Sequence, residues 1–115
     1  MRSIKFLGLA GLLFASVPAQ AQTAGAWRVD GSVAGRTFKL DCQVQAGGIC
    51  VDTAAGKRYP LTGASIVGDQ VSWTFKTKVA FIGVTLTFAG RATGNRMSGT
   101  LRAAGRTGAF TAVRR

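Results

Sequence analysis

Four aspartates are the only acidic side chains of this chain, and it contains no histidine. General acid–base and nucleophilic catalysis need a group that titrates near neutral pH, or a nucleophile beside a base. The aspartates lie in separate segments, at Asp30, Asp41, Asp52 and Asp69. For Asp30 and Asp41 we expect salt bridges with Arg28, Arg36 or Lys39. The sequence therefore predicts no enzymatic activity and no cofactor.

Cys42 and Cys50 are the only two thiols. They flank Ala46-Gly47-Gly48, which is typical of a hairpin turn, so we expect a disulfide between neighbouring strands. Closing so short a loop stabilises a fold by about 2–3 kcal/mol in the chain-entropy model. Structural zinc takes four ligands, so two thiols without histidine predict no metal site. The spacing is not Cys-x-x-Cys either, which argues against a redox pair.

The charge balance is strongly basic. Lysine and arginine number 15 against 4 acids, and without Arg2 and Lys5 the balance is 13 to 4, a net charge of +9. Arginine suits phosphate and carboxylate because its planar fork donates two hydrogen bonds. The C-terminal third holds the candidates for an anion-binding strip, which are Arg91, Arg96, Arg102, Arg106 and Arg114.

Such a field attracts polyanions and acidic surfaces. The partners that we predict are an anionic polysaccharide, lipopolysaccharide or an acidic protein surface. A nucleic acid is not expected, because a single-strand binding strip interleaves exposed aromatic rings with cations, whereas the aromatics here fall mostly on apolar faces. A basic face that only keeps the protein solvated is the alternative.

The first residues have the layout of a secretory signal peptide. Arg2 and Lys5 precede an apolar run over 6–17, which is too short for a membrane-spanning helix of about 20 residues. Ala19-Gln20-Ala21 is a small-x-small cleavage site. We therefore predict a signal peptide over 1–21 and a single domain over 22–115, located in the periplasm or secreted.

Apolar residues in the remaining chain recur with a period of two, as in Val71-Trp73-Phe75, which predicts strands with one buried face. Glycine-containing turns separate the runs at regular intervals. Pro60 and Gly63 make the fourth strand irregular, and a split strand is an alternative. The sequence predicts eight strands, at about 26–33, 36–45, 48–53, 57–66, 70–79, 81–91, 96–103 and 106–113.

Short strands joined by short turns form an antiparallel up-and-down meander. We predict an all-β fold in which the meander closes into a barrel, because closure removes the exposed edges; a two-sheet sandwich is the alternative. The inward side chains are bulky, which predicts a filled interior rather than a deep pocket.

Gly25-Ala26-Trp27 at the start of the first strand resembles the Gly-x-Trp of the calycin superfamily, which includes lipocalins and avidins. The resemblance implies that Arg114, or alternatively Arg115, packs over Trp27 at one barrel end, and that the protein carries a small apolar ligand. The general plan of the chain is also similar to that of bacterial periplasmic metalloprotease inhibitors. That similarity implies a protease-inhibitor role for the segment 22–25.

The sequence thus predicts an exported, non-enzymatic binding protein that acts through its basic face or its barrel mouth. The alternatives are the protease-inhibitor-like protein and the lipocalin-like carrier.

Overall fold

The computed structural model describes residues 23–79 and 81–115, so the predicted signal peptide lies outside the described residues. Eight antiparallel strands follow one another, and each end lies within two residues of its predicted position. The strands are β1 (Gly25–Val33), β2 (Arg36–Val44), β3 (Ile49–Asp52), β4 (Arg58–Val67), β5 (Gln70–Val79), β6 (Ile82–Thr93), β7 (Arg96–Ala103) and β8 (Arg106–Arg114).

The meander closes on itself. β1 pairs with β8 from Trp27 opposite Arg114 to Ser32 opposite Ala109, and every strand therefore has two neighbours. This confirms the predicted all-β up-and-down barrel and excludes the sandwich. Because strand direction alternates, β1 begins at one end, the Trp27 end, and the β1–β2, β3–β4, β5–β6 and β7–β8 turns share the other, the mouth.

Aromatic rings fill the barrel interior between the two ends. Trp73 stacks on Phe88 with ring centroids 4.8 Å apart, and Phe110 meets Trp73 edge-on at 5.4 Å. All three side chains are buried. The interior beside Trp73 and Trp27 is therefore packed, as the bulky inward residues predict.

Inward-facing glycines make room for these rings. Gly99 lies opposite Gly90 on one side and Phe110 on the other, and Gly31 lies between Phe110 and Phe38. A side chain at Gly31 would overlap the Phe38 ring. Glycine inside a strand commonly marks a tight bend or a close approach, and both apply in so narrow a barrel.

A disulfide links the short strand β3 to its neighbour β2 in the barrel wall. β3 has four residues and shares only three register pairs with β4. Cys42 and Cys50 lie opposite each other in β2 and β3 and form the predicted disulfide, with an S–S distance of 2.05 Å. The disulfide holds β3 in the barrel wall, where β3 pairs with β4 over only a short stretch. In β4, the predicted irregularity is a register shift between Leu61 and Gly63.

Helices contribute little to the described part of the chain. None of those in residues 23–79 and 81–115 has the length and apolar character needed to cross a membrane.

Two turns at the mouth force alanine into an unfavourable conformation. Ala34 has a φ of 53° and Ala104 a φ of 50°, and each precedes a glycine that also has a positive φ. Two positive φ angles in a two-residue hairpin loop define a type I′ turn, for which Asn-Gly is preferred. A side chain with a Cβ costs about 1–2 kcal/mol in this region, whereas asparagine tolerates it through local hydrogen bonds.

We therefore expect Ala34→Asn and Ala104→Asn each to raise the free energy of unfolding by about 0.5–1 kcal/mol, a part of that strain. Urea denaturation of the oxidised protein measures the change. Ala109→Asn, on the exposed face of β8, is the matched control and should lower stability, because asparagine is a poor strand former. Equal effects at Ala34 and Ala109 would contradict the interpretation.

Candidate functional site

The five arginines of the predicted strip lie in three places. Arg91 and Arg96 lie on the outside of β6 and β7 near the Trp27 end. Arg102 and Arg106 lie at the mouth, where β7 ends and β8 begins. Arg102 lies six positions after Arg96 along β7, about 20 Å at 3.4 Å per residue. Arg114 is half-buried at the Trp27 end.

Arg114 and Trp27 together close the Trp27 end. The centre of the Arg114 guanidinium lies 4.3 Å from the centroid of a Trp27 ring, which is cation–π geometry. Arg114 also donates to the Ala24 carbonyl at 3.1 Å, and Trp27 Nε1 donates to the Thr23 carbonyl at 2.8 Å. Thr23 donates from Oγ1 to the carbonyl of Gly68. The protease-inhibitor interpretation assigns its role to the segment 22–25. The described residues of that segment are hydrogen-bonded to the barrel.

Three of the four aspartates are neutralised away from the mouth. Asp41 accepts from Arg28 at 3.0 Å and lies 3.5 Å from Arg115. The hydrogen bond from Arg28 to Asp41, and the charge of that carboxylate, raise the pKa of the Arg28 guanidinium. The other two pairs are Asp69 with Arg91 and Asp30 with Lys39, each at 3.8 Å.

A cavity of about 340 Å³ opens at the mouth. Its wall is mainly apolar, with Phe38, Leu40, Phe75, Val84 and Leu86 among the residues that line it. Ligand pockets typically measure about 300–1,000 Å³ and combine an apolar wall with a few polar groups. The cavity lies at the opposite end from Trp27, so the filled interior that the sequence predicts holds for only part of the barrel.

Seven cations share the mouth with this cavity. Arg36 and Arg106 line the cavity itself, and Lys57 lies 5.9 Å from the ring centroid of Tyr59, another lining residue. None of the seven forms an ion pair with another residue in the described part of the chain. The set, which we call the mouth cations, comprises Arg36, Lys57, Arg58, Lys76, Lys78, Arg102 and Arg106.

One acid lies near these cations, and it has a structural role. Asp52 lines the edge of the cavity, and its Oδ1 accepts from the backbone N–H groups of Ala54 and Ala55 at 2.8 and 3.2 Å. This pattern is an Asx turn, which shapes the β3–β4 loop. The mouth therefore keeps a strong positive charge above an apolar cavity, an arrangement that favours an anion with an apolar portion.

A larger groove is less suited to binding a charged ligand. It measures about 700 Å³ on the outside of β1, β2 and β8, and its wall includes Asp30 and Lys39, which already pair with each other. Opposite charges that compensate each other leave little net field for an ion.

Sequence reasoning identified Arg102 and Arg106 but not their partners at the mouth. Arg36 and Arg106 are seventy positions apart in the chain and meet only because the barrel closes between β1 and β8. The missed signal is positional: Arg36 and Arg106 both directly follow an Ala-Gly turn, and such turns recur at one end of a meander.

No protein-family model matches the chain, and a search of curated proteins and of solved structures finds no match either. The closed eight-stranded antiparallel barrel is compatible with a calycin-like fold.

Proposed function

We propose that the protein is an exported, non-enzymatic binding protein with a calycin-like barrel, and that its ligand is a small amphipathic anion. The apolar part of the ligand enters the mouth cavity, and its carboxylate or phosphate binds Arg36 and Arg106. The observation that supports this most directly is the presence of unpaired arginines on the wall of an apolar cavity. The Cys42–Cys50 disulfide supports export, because disulfides persist in oxidising compartments.

The mouth also favours one of the partners predicted from the sequence. Polysaccharides and acidic protein surfaces offer negative charge without an alkyl chain for the cavity. Lipopolysaccharide and simple fatty acids offer an anionic group joined to an acyl chain. Arginine pairs well with both phosphate and carboxylate, so the shared chemistry is an acyl chain that ends in an anion.

Decanoate is a suitable probe, and calorimetric titration of the oxidised full chain measures its binding. We expect decanoate to bind at least tenfold more tightly than decanol, because a hydrogen bond to a charged group is worth about 1.5–3 kcal/mol and 1.4 kcal/mol is tenfold. Acetate, which lacks the chain, should not bind. Equal affinity for decanoate and decanol would exclude the role of the arginines.

Two pairs of variants locate the site. Arg36→Ser with Arg106→Ser should weaken decanoate binding at least tenfold. Arg91→Ser with Arg96→Ser removes the same charge at the Trp27 end and should change it less than twofold. Ala103→Phe fills the cavity and should abolish binding, whereas Ala89→Phe, on the exposed face of β6, should not. Equal losses from both arginine pairs would mean that net charge alone attracts the ligand.

A further inference from the structure

The β5–β6 hairpin projects beyond the rest of the barrel at the mouth. The register of β4 with β5 ends at Leu61 opposite Phe75, and that of β6 with β7 ends at Leu86 opposite Ala103. β5 and β6 nevertheless continue to pair with each other as far as Val79 opposite Ile82. The segments 76–79 and 82–85 therefore form a two-stranded ribbon with which no other strand of the described residues pairs.

The ribbon ends in two strongly exposed apolar side chains. Phe81 is 99% exposed and Ile82 is 67% exposed. Phe81 also has a φ of 69°, which is rare for a bulky residue and for which glycine is the usual choice. Strained positions are concentrated at functional sites, and nothing in the fold requires an aromatic ring here.

Cations surround this apolar tip. Lys76 and Lys78 are exposed on the same ribbon, and the other mouth cations lie at the same end of the barrel. An apolar tip among lysines and arginines is complementary to the surface of an anionic bilayer, where phosphates lie above acyl chains. Long basic side chains keep their charge at the headgroups while apolar neighbours enter the boundary region.

We propose that Phe81 and Ile82 insert into the surface of an anionic lipid membrane, with Lys76 and Lys78 at the headgroups, so that the mouth faces the bilayer. Basic residues add attraction to anionic headgroups, and the two apolar side chains add burial. The proposal goes beyond ligand binding in the cavity and does not depend on it.

Co-sedimentation of the oxidised full chain with vesicles tests this proposal. Vesicles of phosphatidylglycerol and phosphatidylcholine should retain the protein, and vesicles of phosphatidylcholine alone should retain at least tenfold less. Phe81→Ser with Ile82→Ser should weaken retention at least tenfold. Val67→Ser with Val113→Ser removes exposed apolar side chains near the Trp27 end and should leave retention unchanged.

A spectroscopic readout reports insertion itself. Trp27 and Trp73 are buried, so the emission of a Phe81→Trp variant changes on binding only through the new indole. We expect its emission to shift to the blue with anionic vesicles. No shift, or full retention of the Phe81→Ser, Ile82→Ser variant, would overturn the proposal. A dimer in solution that this variant abolishes, without vesicle binding by the wild type, would assign the tip to a second copy instead.

Calorimetry with decanoate in the absence of vesicles separates the two proposals. If the mouth binds decanoate and the vesicles do not retain the protein, only the membrane proposal fails. If the vesicles retain the protein and decanoate does not bind, only the proposed ligand fails.

Discussion

Replacement of Gly99 by alanine is expected to lower the free energy of unfolding by about 3 kcal/mol, the upper end of the usual cost of overpacking. A Cβ at this position would overlap the carbonyl oxygen of Ala89 on the neighbouring strand. A backbone atom within a hydrogen-bonded ladder cannot rotate away as a side chain can. β6 and β7 would therefore have to separate where Gly90 faces Gly99, and the Phe110 ring would lose its place beside them.

Such a loss is a large fraction of the roughly 5–15 kcal/mol that stabilises a typical domain. Urea denaturation of the oxidised protein measures it. Gly83→Ala is the matched control, because no atom of the described residues lies within 4 Å of a Cβ added there. It should raise stability by about 0.5 kcal/mol, since alanine in a strand loses less backbone entropy than glycine on folding. A Gly99→Ala protein as stable as the wild type would contradict the packing that we describe for the barrel wall.

Sequence patterning predicted the architecture because the signals for this fold are local. Alternation such as Val71-Trp73-Phe75 determines which face of a strand is buried, and the glycine-containing turns mark where strands end. Cys42 and Cys50 could be paired because a hairpin places residues on either side of a turn opposite each other. Each of these inferences needs only a short window of sequence.

The composition of the mouth could not be predicted in the same way. Arg91, Arg96, Arg102 and Arg106 are close in the chain, but strand direction reverses between them. Residues on either side of a two-residue turn share an end, whereas residues separated by the length of a strand lie at opposite ends. Arg96 and Arg102 are therefore apart, and Arg106 lines the same cavity as Arg36, which is distant in the chain.

The size of the cavity depends on how far the inward side chains fill the closed barrel, which the sequence pattern alone does not determine. The predicted lining is bulky, and in the half of the barrel around Trp73 it does fill the interior. At the mouth, Thr77, Val84 and Ala103 contribute smaller side chains than the rings around Trp73, so space remains.

The two barrel ends differ in their ion pairs, in their open space and in their backbone conformation. At the Trp27 end, Arg28, Arg91 and Arg115 pair with acids. At the mouth, the cations form no ion pair within residues 23–79 and 81–115, the cavity is open, and Ala34, Phe81 and Ala104 have positive φ angles. Stabilising contacts at the Trp27 end offset the backbone strain and the repulsion between like charges at the mouth. Binding sites are usually placed in this way, on loops that a rigid scaffold positions.

Trp27→Ala should therefore cost about 4–5 kcal/mol of unfolding free energy, near the upper end of the range for a buried aromatic residue. The substitution removes a fully buried ring, the hydrogen bond to the Thr23 carbonyl and the face against which Arg114 packs. Trp73→Ala should cost about 3 kcal/mol, because Trp73 Nε1 has no hydrogen-bond partner among residues 23–79 and 81–115.

Arg114→Met isolates the contribution of the cation. We expect a loss of about 1–2 kcal/mol, since a partly desolvated cation–π contact is worth up to about 2 kcal/mol. Arg96→Met is the control, because Arg96 is exposed near the same end and has no ion pair in residues 23–79 and 81–115. A double-mutant cycle with Trp27→Phe should give a coupling energy that Arg96 does not share. If Arg114 and Arg96 prove equivalent, the closure of the Trp27 end is due to Trp27 alone, and the asymmetry between the two ends must have another origin.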